Sequence, residues 1–159
     1  RKYNNLKMIV AGDGPEKSKL GKLSSELNIA QDISFPGFVS RTEKLELYNM
    51  ADVYVIASYQ EGLPFSLMEA MSCGRICIGT NVGDIPTLID DGVNGFLISP
   101  REPEMLAKKI EEVINLPKQQ ISLIRSRARE TIMKKFDFEK LTKTMIEIIE
   151  KCTFERRKS

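Results

Sequence analysis

Glu61 and Glu69 stand eight positions apart in the segment Glu61-Gly-Leu-Pro-Phe-Ser-Leu-Met-Glu69, directly after the apolar run Val53-Tyr-Val-Ile-Ala57. A carboxylate accepts hydrogen bonds at several positions, so one acid suits the two hydroxyls of a vicinal diol. Gly62 and Pro64 between the acids mark a turn, and the apolar spacing beyond them marks a helix start. The first N–H groups of a helix have no intrahelical partner, and together with the helix dipole they favour phosphate. The pattern suggests backbone N–H groups of Phe65, Ser66 and Leu67 around a diphosphate, with Glu69 on a ribose and Glu61 on a sugar beyond the phosphates. A nucleotide diphosphate-sugar fits all of these groups. A plainer reading fits the spacing as well: Glu69 as an acid complementing the helix dipole, and Glu61 as a solvated loop residue.

Such a site needs a strand that ends where the loop begins. Asp52 to Ser58 is that strand, and its apolar run without polar alternation predicts burial on both faces. A helix follows from near Phe65 to Cys73, closed by Gly74. On it Leu67, Ala70 and Met71 share one face for the sheet, and Glu69 lies off that face. Upstream, Leu6–Ala11 reads as a strand entering the turn Gly12-Asp-Gly-Pro15, and Leu20, Leu23 and Leu27 recur at helical spacing. Ile33–Val39 is a second strand, bent at Pro36-Gly37. Ser40-Arg-Thr-Glu43 is a capping box that predicts a helix from about Thr42 to Met50. Arg75–Gly79 and Gly95–Ile98 are two further strands. Beyond Pro103, helical stripes run through Leu106, Ile110, Val113 and Ile114, then Ile121, Ile124, Ala128 and Ile132, then Leu141, Met145, Ile148 and Cys152.

Strands alternating with helices predict an α/β fold: a Rossmann-like parallel sheet with helices on both faces. Ligands of such sheets bind beyond the carboxyl ends of the strands, which places Tyr59 to Ser66 along the crevice. Gly62 would let backbone approach a ligand closely, and Pro64 suits the start of the helix. The turn at Gly12 lacks the third glycine of a dinucleotide fingerprint and the Lys-Ser/Thr of a P-loop. Gly12 therefore either touches a ligand or only closes the connection. Gly83-Asp-Ile-Pro86 is a second candidate anion loop.

The 159 residues predict one domain, 1–159, of ordinary soluble composition, 42% hydrophobic and 29% charged. A net charge of +2 with interspersed signs argues against a nucleic-acid footprint. No apolar run approaches the roughly 18–20 residues that cross a bilayer, so a cytoplasmic protein is expected, peripheral at most on the inner face of the membrane. The chain has three cysteines and no histidine. Cys73, Cys77 and Cys152 match no zinc spacing, so neither metal nor disulfide is expected, and Cys73 and Cys77 read as core residues. Without histidine, Ser-His-Asp and Cys-His chemistry is excluded.

The stretch Glu61-Gly-Leu-Pro-Phe-Ser-Leu-Met-Glu69-Ala-Met-Ser-Cys-Gly74 resembles the E-x7-E signature of retaining glycosyltransferases of the family 4 type, which have the two-domain GT-B fold. Val10-Ala-Gly-Asp-Gly-Pro15, Phe35-Pro-Gly-Phe-Val39, Ala51-Asp-Val53, Asn81-Val-Gly83, Ile85-Pro86 and Asp91-Gly-Val-Asn-Gly-Phe96 follow in the family's order over nearly the whole chain. The resemblance implies the C-terminal, donor-binding domain of a larger enzyme. It implies a hexose-type sugar passed with retention from a UDP-, GDP- or ADP-sugar to a glycan or lipid-linked acceptor, as in surface polysaccharide biosynthesis. Glu61 would be the catalytic-site acid holding the transferred sugar and Glu69 would hold the ribose. Pro64 to Leu67 would hold sugar and phosphate, Val39 and Ser40 would lie at the base, and no metal or cofactor is implied.

Two departures stand out. Gly83-Asp-Ile-Pro-Thr87 replaces the family's usual Gly-Gly-Ile-Pro-Glu, putting the acid Asp84 beside the proposed site. The family's first strand and helix, with an Arg and a Lys that neutralise the diphosphate, precede the equivalent of Leu6. The expectation is a chain missing that strand, the helix and the acceptor domain, and not competent for transfer by itself. The gap in its sheet would be closed by direct pairing of the strands at Leu6–Ala11 and Asp52–Ser58, or filled by another copy in a homo-oligomer. The competing readings are a nucleotide-sugar epimerase-like domain and a non-catalytic interaction module docking through its last helix.

Overall fold

The computed structural model describes residues 6–136 together with 142, 143, 145 and 146. Its contacts divide the chain into two units, Arg1–Leu47 and Tyr48–Ser159.

In the first unit, β1 (Met8–Ala11) pairs in parallel with β2 (Ile33–Gly37), and α1 (Lys17–Glu26) connects them. α2 (Arg41–Met50) follows β2 and runs across the unit boundary. It starts at the predicted capping box: the Ser40 N–H donates to Glu43 Oε2 at 2.7 Å, and the Glu43 N–H donates to Ser40 Oγ at 3.3 Å. These bonds from Ser40 hold the Glu43 carboxyl below its ordinary pKa. The Leu20, Leu23 and Leu27 stripe is helical up to Glu26 but stays open, at 40%, 46% and 58% exposure. Met8 and Ile9 of β1 are similarly open, because two strands offer too little surface to cover.

The second unit is built on three parallel strands in the order β3-β4-β5: Val53–Ile56, Ile76–Thr80 and Phe96–Ile98. The central strand β4 is buried along its whole length. Its side chains alternate between two cores. Cys77 joins Leu67, Ala70 and Met71 of α3 (Phe65–Ser72) with Ala128 and Ile132 of the long helix spanning Lys118–Lys135. Ile76 and Ile78 face Phe96, Ile98 and Val113 on the opposite side. Helices therefore cover both faces, as the stripes predict. α4 (Ile85–Leu88) follows β4, α5 (Pro103–Ile114) follows β5, and Pro117 caps α6 (Lys118–Lys135). Of the last stripe, Met145 is helical and exposed, and Leu141, Ile148 and Cys152 lie outside the described residues.

Two details anchor this unit. α3 ends in a Schellman motif: Gly74, at φ +64°, donates its N–H to the Met71 carbonyl, and Arg75 donates to the Ala70 carbonyl. Gly79 lets α4 close on β4, since a Cβ there would lie 2.7 Å from Ile85 Cγ2 and 3.2 Å from Ile89 Cδ1. Gly79→Val should therefore cost about 1–3 kcal/mol by overpacking. The measurement is a lower urea midpoint at unchanged slope.

Two expectations are corrected. β1 and β3 belong to different sheets, so the two flanking strands do not pair among the described residues. Each is hydrogen-bonded along one edge only, and an edge strand is less enclosed. Val53, Tyr54 and Val55 are accordingly half-buried, not enclosed on both faces.

Candidate functional site

The loop bearing Glu61 leaves β3 at its carboxyl end and is held at main-chain atoms. The buried Thr80 hydroxyl donates to the Ser58 carbonyl at 2.7 Å, tying the loop to the neighbouring strand. Ser58 Oγ donates to Glu61 Oε1 at 2.6 Å, which fixes the direction of the half-buried carboxylate. Gly83 closes the other side. Its φ is +52°, and a Cβ on it would fall 1.8 Å from the Glu61 carbonyl oxygen, so only glycine fits. The residue that departs from the family pattern is its neighbour, Asp84. Asp84 begins α4, yet its carboxylate makes no capping bond and remains exposed beside the Glu61 loop.

Glu69 lies one helix turn into α3, off the buried face formed by Leu67, Ala70 and Met71. The Tyr48 hydroxyl donates to Glu69 Oε2 at 3.0 Å. Tyr48 is 7% exposed and meets Tyr54 edge to face, with centroids 5.7 Å apart. Tyr54 in turn donates to Ser66 Oγ at 2.8 Å. Burial, then Tyr54 and Glu69, push the Tyr48 hydroxyl well above the ordinary tyrosine range, so it stays a donor at alkaline pH. Burial likewise raises Tyr54. Tyr48→Phe should lose about 1.5–3 kcal/mol of stability, the worth of a bond to a charged group, and withdraw one of the contacts that orient Glu69. Urea unfolding measures the first effect. The second should appear as a nucleotide affinity about fivefold weaker, consistent with roughly 1 kcal/mol.

At the start of α3, Pro64 is buried as the N-cap residue and no side chain caps the helix. Leu67 and Met68 donate to the Pro64 carbonyl at 3.1 and 3.2 Å. The expectation of a free N–H at Leu67 is thus corrected, because the first turn tightens onto Pro64 and consumes it, while the Leu67 side chain is core. The N–H groups of Phe65 and Ser66 have no protein partner among the described residues. Gly62 has no atom within 4 Å of where its Cβ would be, so the protein leaves open space there. The rings of Tyr59 and Phe65 are 64% and 69% exposed around this space.

The remaining candidates belong to the first unit. Gly12 donates its N–H to the Gly37 carbonyl at 2.8 Å and lines a cleft of about 270 Å³ after β1. Val39 is half-buried, and Ser40 is exposed with its side chain engaged in the capping box. A second cleft, of about 810 Å³ between the α4–β5 segment and α6, is lined by none of the residues predicted around Glu61 and Glu69, and of the candidate anion loop Gly83–Pro86 only by Pro86. Among the described residues no cluster of acid or cysteine side chains could hold a metal.

Sequence reasoning passed over Tyr48, Ser58 and Arg101. Tyr48 occupies a helical apolar position, and Ser58 carries a signal only in standing three residues before Glu61. Arg101 follows β5 with φ +64°, and its guanidinium carbon lies 5.2 Å from the centroid of the Tyr59 ring. A non-glycine residue in that conformation costs roughly 1–2 kcal/mol, and an exposed cation–π contact returns only about 0.5–1 kcal/mol.

The parallel α/β architecture, with a two-acid loop and helix at the carboxyl edge, is that of GT-B glycosyltransferase C-terminal domains. The chain superposes on such a domain of a glycosyl transferase group 1 family protein (LpcC) from Francisella tularensis with a TM-score of 0.76 and 26% identity, covering 85% of this chain and 72% of that one. It superposes on the Anabaena protein HepE, solved with UDP and separately with UDP-glucose, with a TM-score of 0.85 and 25% identity over 94% of this chain and 42% of that one. Residues 1–130 match the family model described as Glycosyl transferases group 1, and the chain belongs to that family. It is 35% identical over 140 residues to the N-acetyl-alpha-D-glucosaminyl L-malate synthase of Bacillus anthracis, covering 86% of this chain and 35% of that protein. The chain spans about a third of the length of the curated relatives it matches. No described helix is long and apolar enough to cross a membrane.

Proposed function

We propose that this chain is the donor-binding domain of a retaining glycosyltransferase that transfers a hexose-type sugar from a nucleotide-sugar to a glycan or lipid-linked acceptor, in surface polysaccharide biosynthesis. The observation that carries the reading is one continuous loop and helix presenting three ligand-directed groups. Glu69, steadied by Tyr48, accepts from the ribose hydroxyls. The N–H groups of Phe65 and Ser66, at the positive end of α3, take the diphosphate. Glu61, aimed by Ser58 and braced by Gly83, holds the transferred sugar. Gly62 leaves room for the ligand. Bound UDP and UDP-glucose in the Anabaena structures support a nucleotide-sugar as the ligand class.

No metal or cofactor enters this reading: hydrogen-bond donors and positive groups stabilise the departing diphosphate. The test is calorimetric titration of the protein with UDP-, GDP- and ADP-glucose. Saturable binding of at least one, competed by its free nucleoside diphosphate, is the expected result. A folded protein that binds none of the three overturns the assignment.

A further inference from the structure

The loops at the carboxyl edge of β3, β4 and β5 carry Glu61, Asp84 and Glu102, and against these acids a single cation, Arg101. Arg101 forms no ion pair with them among the described residues. Its guanidinium lies instead over the exposed ring of Tyr59, two residues before Glu61. No hydrogen bond from the guanidinium N–H groups is made within the described protein, so they stay available to a ligand. A guanidinium held in this way is pre-organised for a two-point bond to a carboxylate or phosphate. The left-handed backbone at Arg101 is a strained conformation that the Tyr59 contact by itself does not offset.

Resting on the proposed donor site, we infer that Arg101 and Tyr59 form an anion subsite beside Glu61, which takes a carboxylate or phosphate borne by the transferred sugar or by the acceptor. Tyr59 stands two residues before Glu61, which the proposed function puts on the transferred sugar, so the subsite is assigned to the sugar end of the ligand. Tyr59 orients the fork, and Arg101 supplies charge and paired donors.

The test compares matched ligands in the protein and in its Arg101→Gln, Arg101→Lys and Tyr59→Ala variants. UDP-glucose is set against UDP-glucuronate, and GDP-mannose against GDP-mannuronate. Inorganic phosphate is then titrated into the nucleotide-sugar complex while the Arg101 Nε–H resonance is followed by NMR. If the sugar bears the anion, the acidic partner of the pair binds about tenfold tighter. Arg101→Gln then removes that preference without weakening the neutral sugar, and Arg101→Lys restores part of it. If the acceptor bears the anion, the sugar pairs bind alike, and phosphate shifts the Arg101 resonance saturably, with an affinity that Tyr59→Ala lowers. No preference for the acidic sugar together with no phosphate response at Arg101 overturns the inference, as does a loss in Arg101→Gln that is equal for neutral and acidic ligands. A wild-type protein that binds no nucleotide-sugar overturns the donor-site reading instead, and the phosphate titration of the free protein then decides the subsite by itself.

Discussion

Gly83→Ala should displace the Glu61 loop and, in the full-length transferase proposed above, cut transfer by about a hundredfold, the scale of an ångström-size misplacement of a positioned group. A Cβ at Gly83 would lie 1.8 Å from the Glu61 carbonyl oxygen, well inside any contact that rotamer changes could relieve, because both partners are backbone. Alanine at φ +52° also meets the steric cost of the left-handed region, about 1–2 kcal/mol. The carboxylate of Glu61 would move with its main chain and lose the 2.6 Å bond from Ser58. The damage should be selective. Ribose and diphosphate are assigned to Glu69 and the α3 start, which Gly83 does not touch, so free UDP should bind the variant nearly as well as the wild type. Calorimetry with UDP and UDP-glucose on both proteins measures this: the extra affinity contributed by the sugar should vanish in the variant. An alanine variant with an unchanged sugar contribution would show that the loop is not braced there.

Glu69→Ala should weaken nucleotide binding by two to three orders of magnitude, or about 3–4 kcal/mol. Bonds from hydroxyls to a carboxylate are worth about 1.5–3 kcal/mol each, and this carboxylate is held by Tyr48 at 3.0 Å. Glu69→Gln keeps an acceptor and loses the charge, so its loss should be nearer tenfold, or about 1.4 kcal/mol. The discriminating ligand is 2′-deoxy-UDP. Wild type should prefer UDP over it, and Glu69→Ala should bind the two alike; a preserved preference would place the ribose elsewhere. Removing the acid also strands the buried Tyr48 hydroxyl, at a cost of about 1–3 kcal/mol of stability. The double variant with Tyr48→Phe should recover part of that stability without recovering affinity, which separates folding from recognition.

The parts legible in the sequence were those whose physics is local. The Ser40–Glu43 capping box, the Gly74 stop and the Leu67, Ala70, Met71 face all appear where side-chain chemistry and helical period put them. The free N–H groups at Phe65 and Ser66 were legible for the same reason, and Leu67 was misjudged because tightening of a first turn depends on the backbone angle of Pro64. What the sequence concealed was tertiary. Nothing near Tyr48 announces its bond to Glu69, and nothing near Arg101 announces Tyr59. The apolar run of β3 looks central, but its half-buried side chains follow from an edge position that only strand order reveals. Gly83 was visible as a turn residue, and its closeness to Glu61 was not.

The Glu61 loop is secured through the carbonyls of Ser58 and Glu61, by Thr80 and Gly83. Tyr59, Gln60 and Leu63 project from that frame without supporting it. The chassis and the selectivity of this edge are thereby uncoupled: natural drift or directed evolution can exchange the projecting side chains, and so retune which sugar is welcomed, without loosening the acid that holds it.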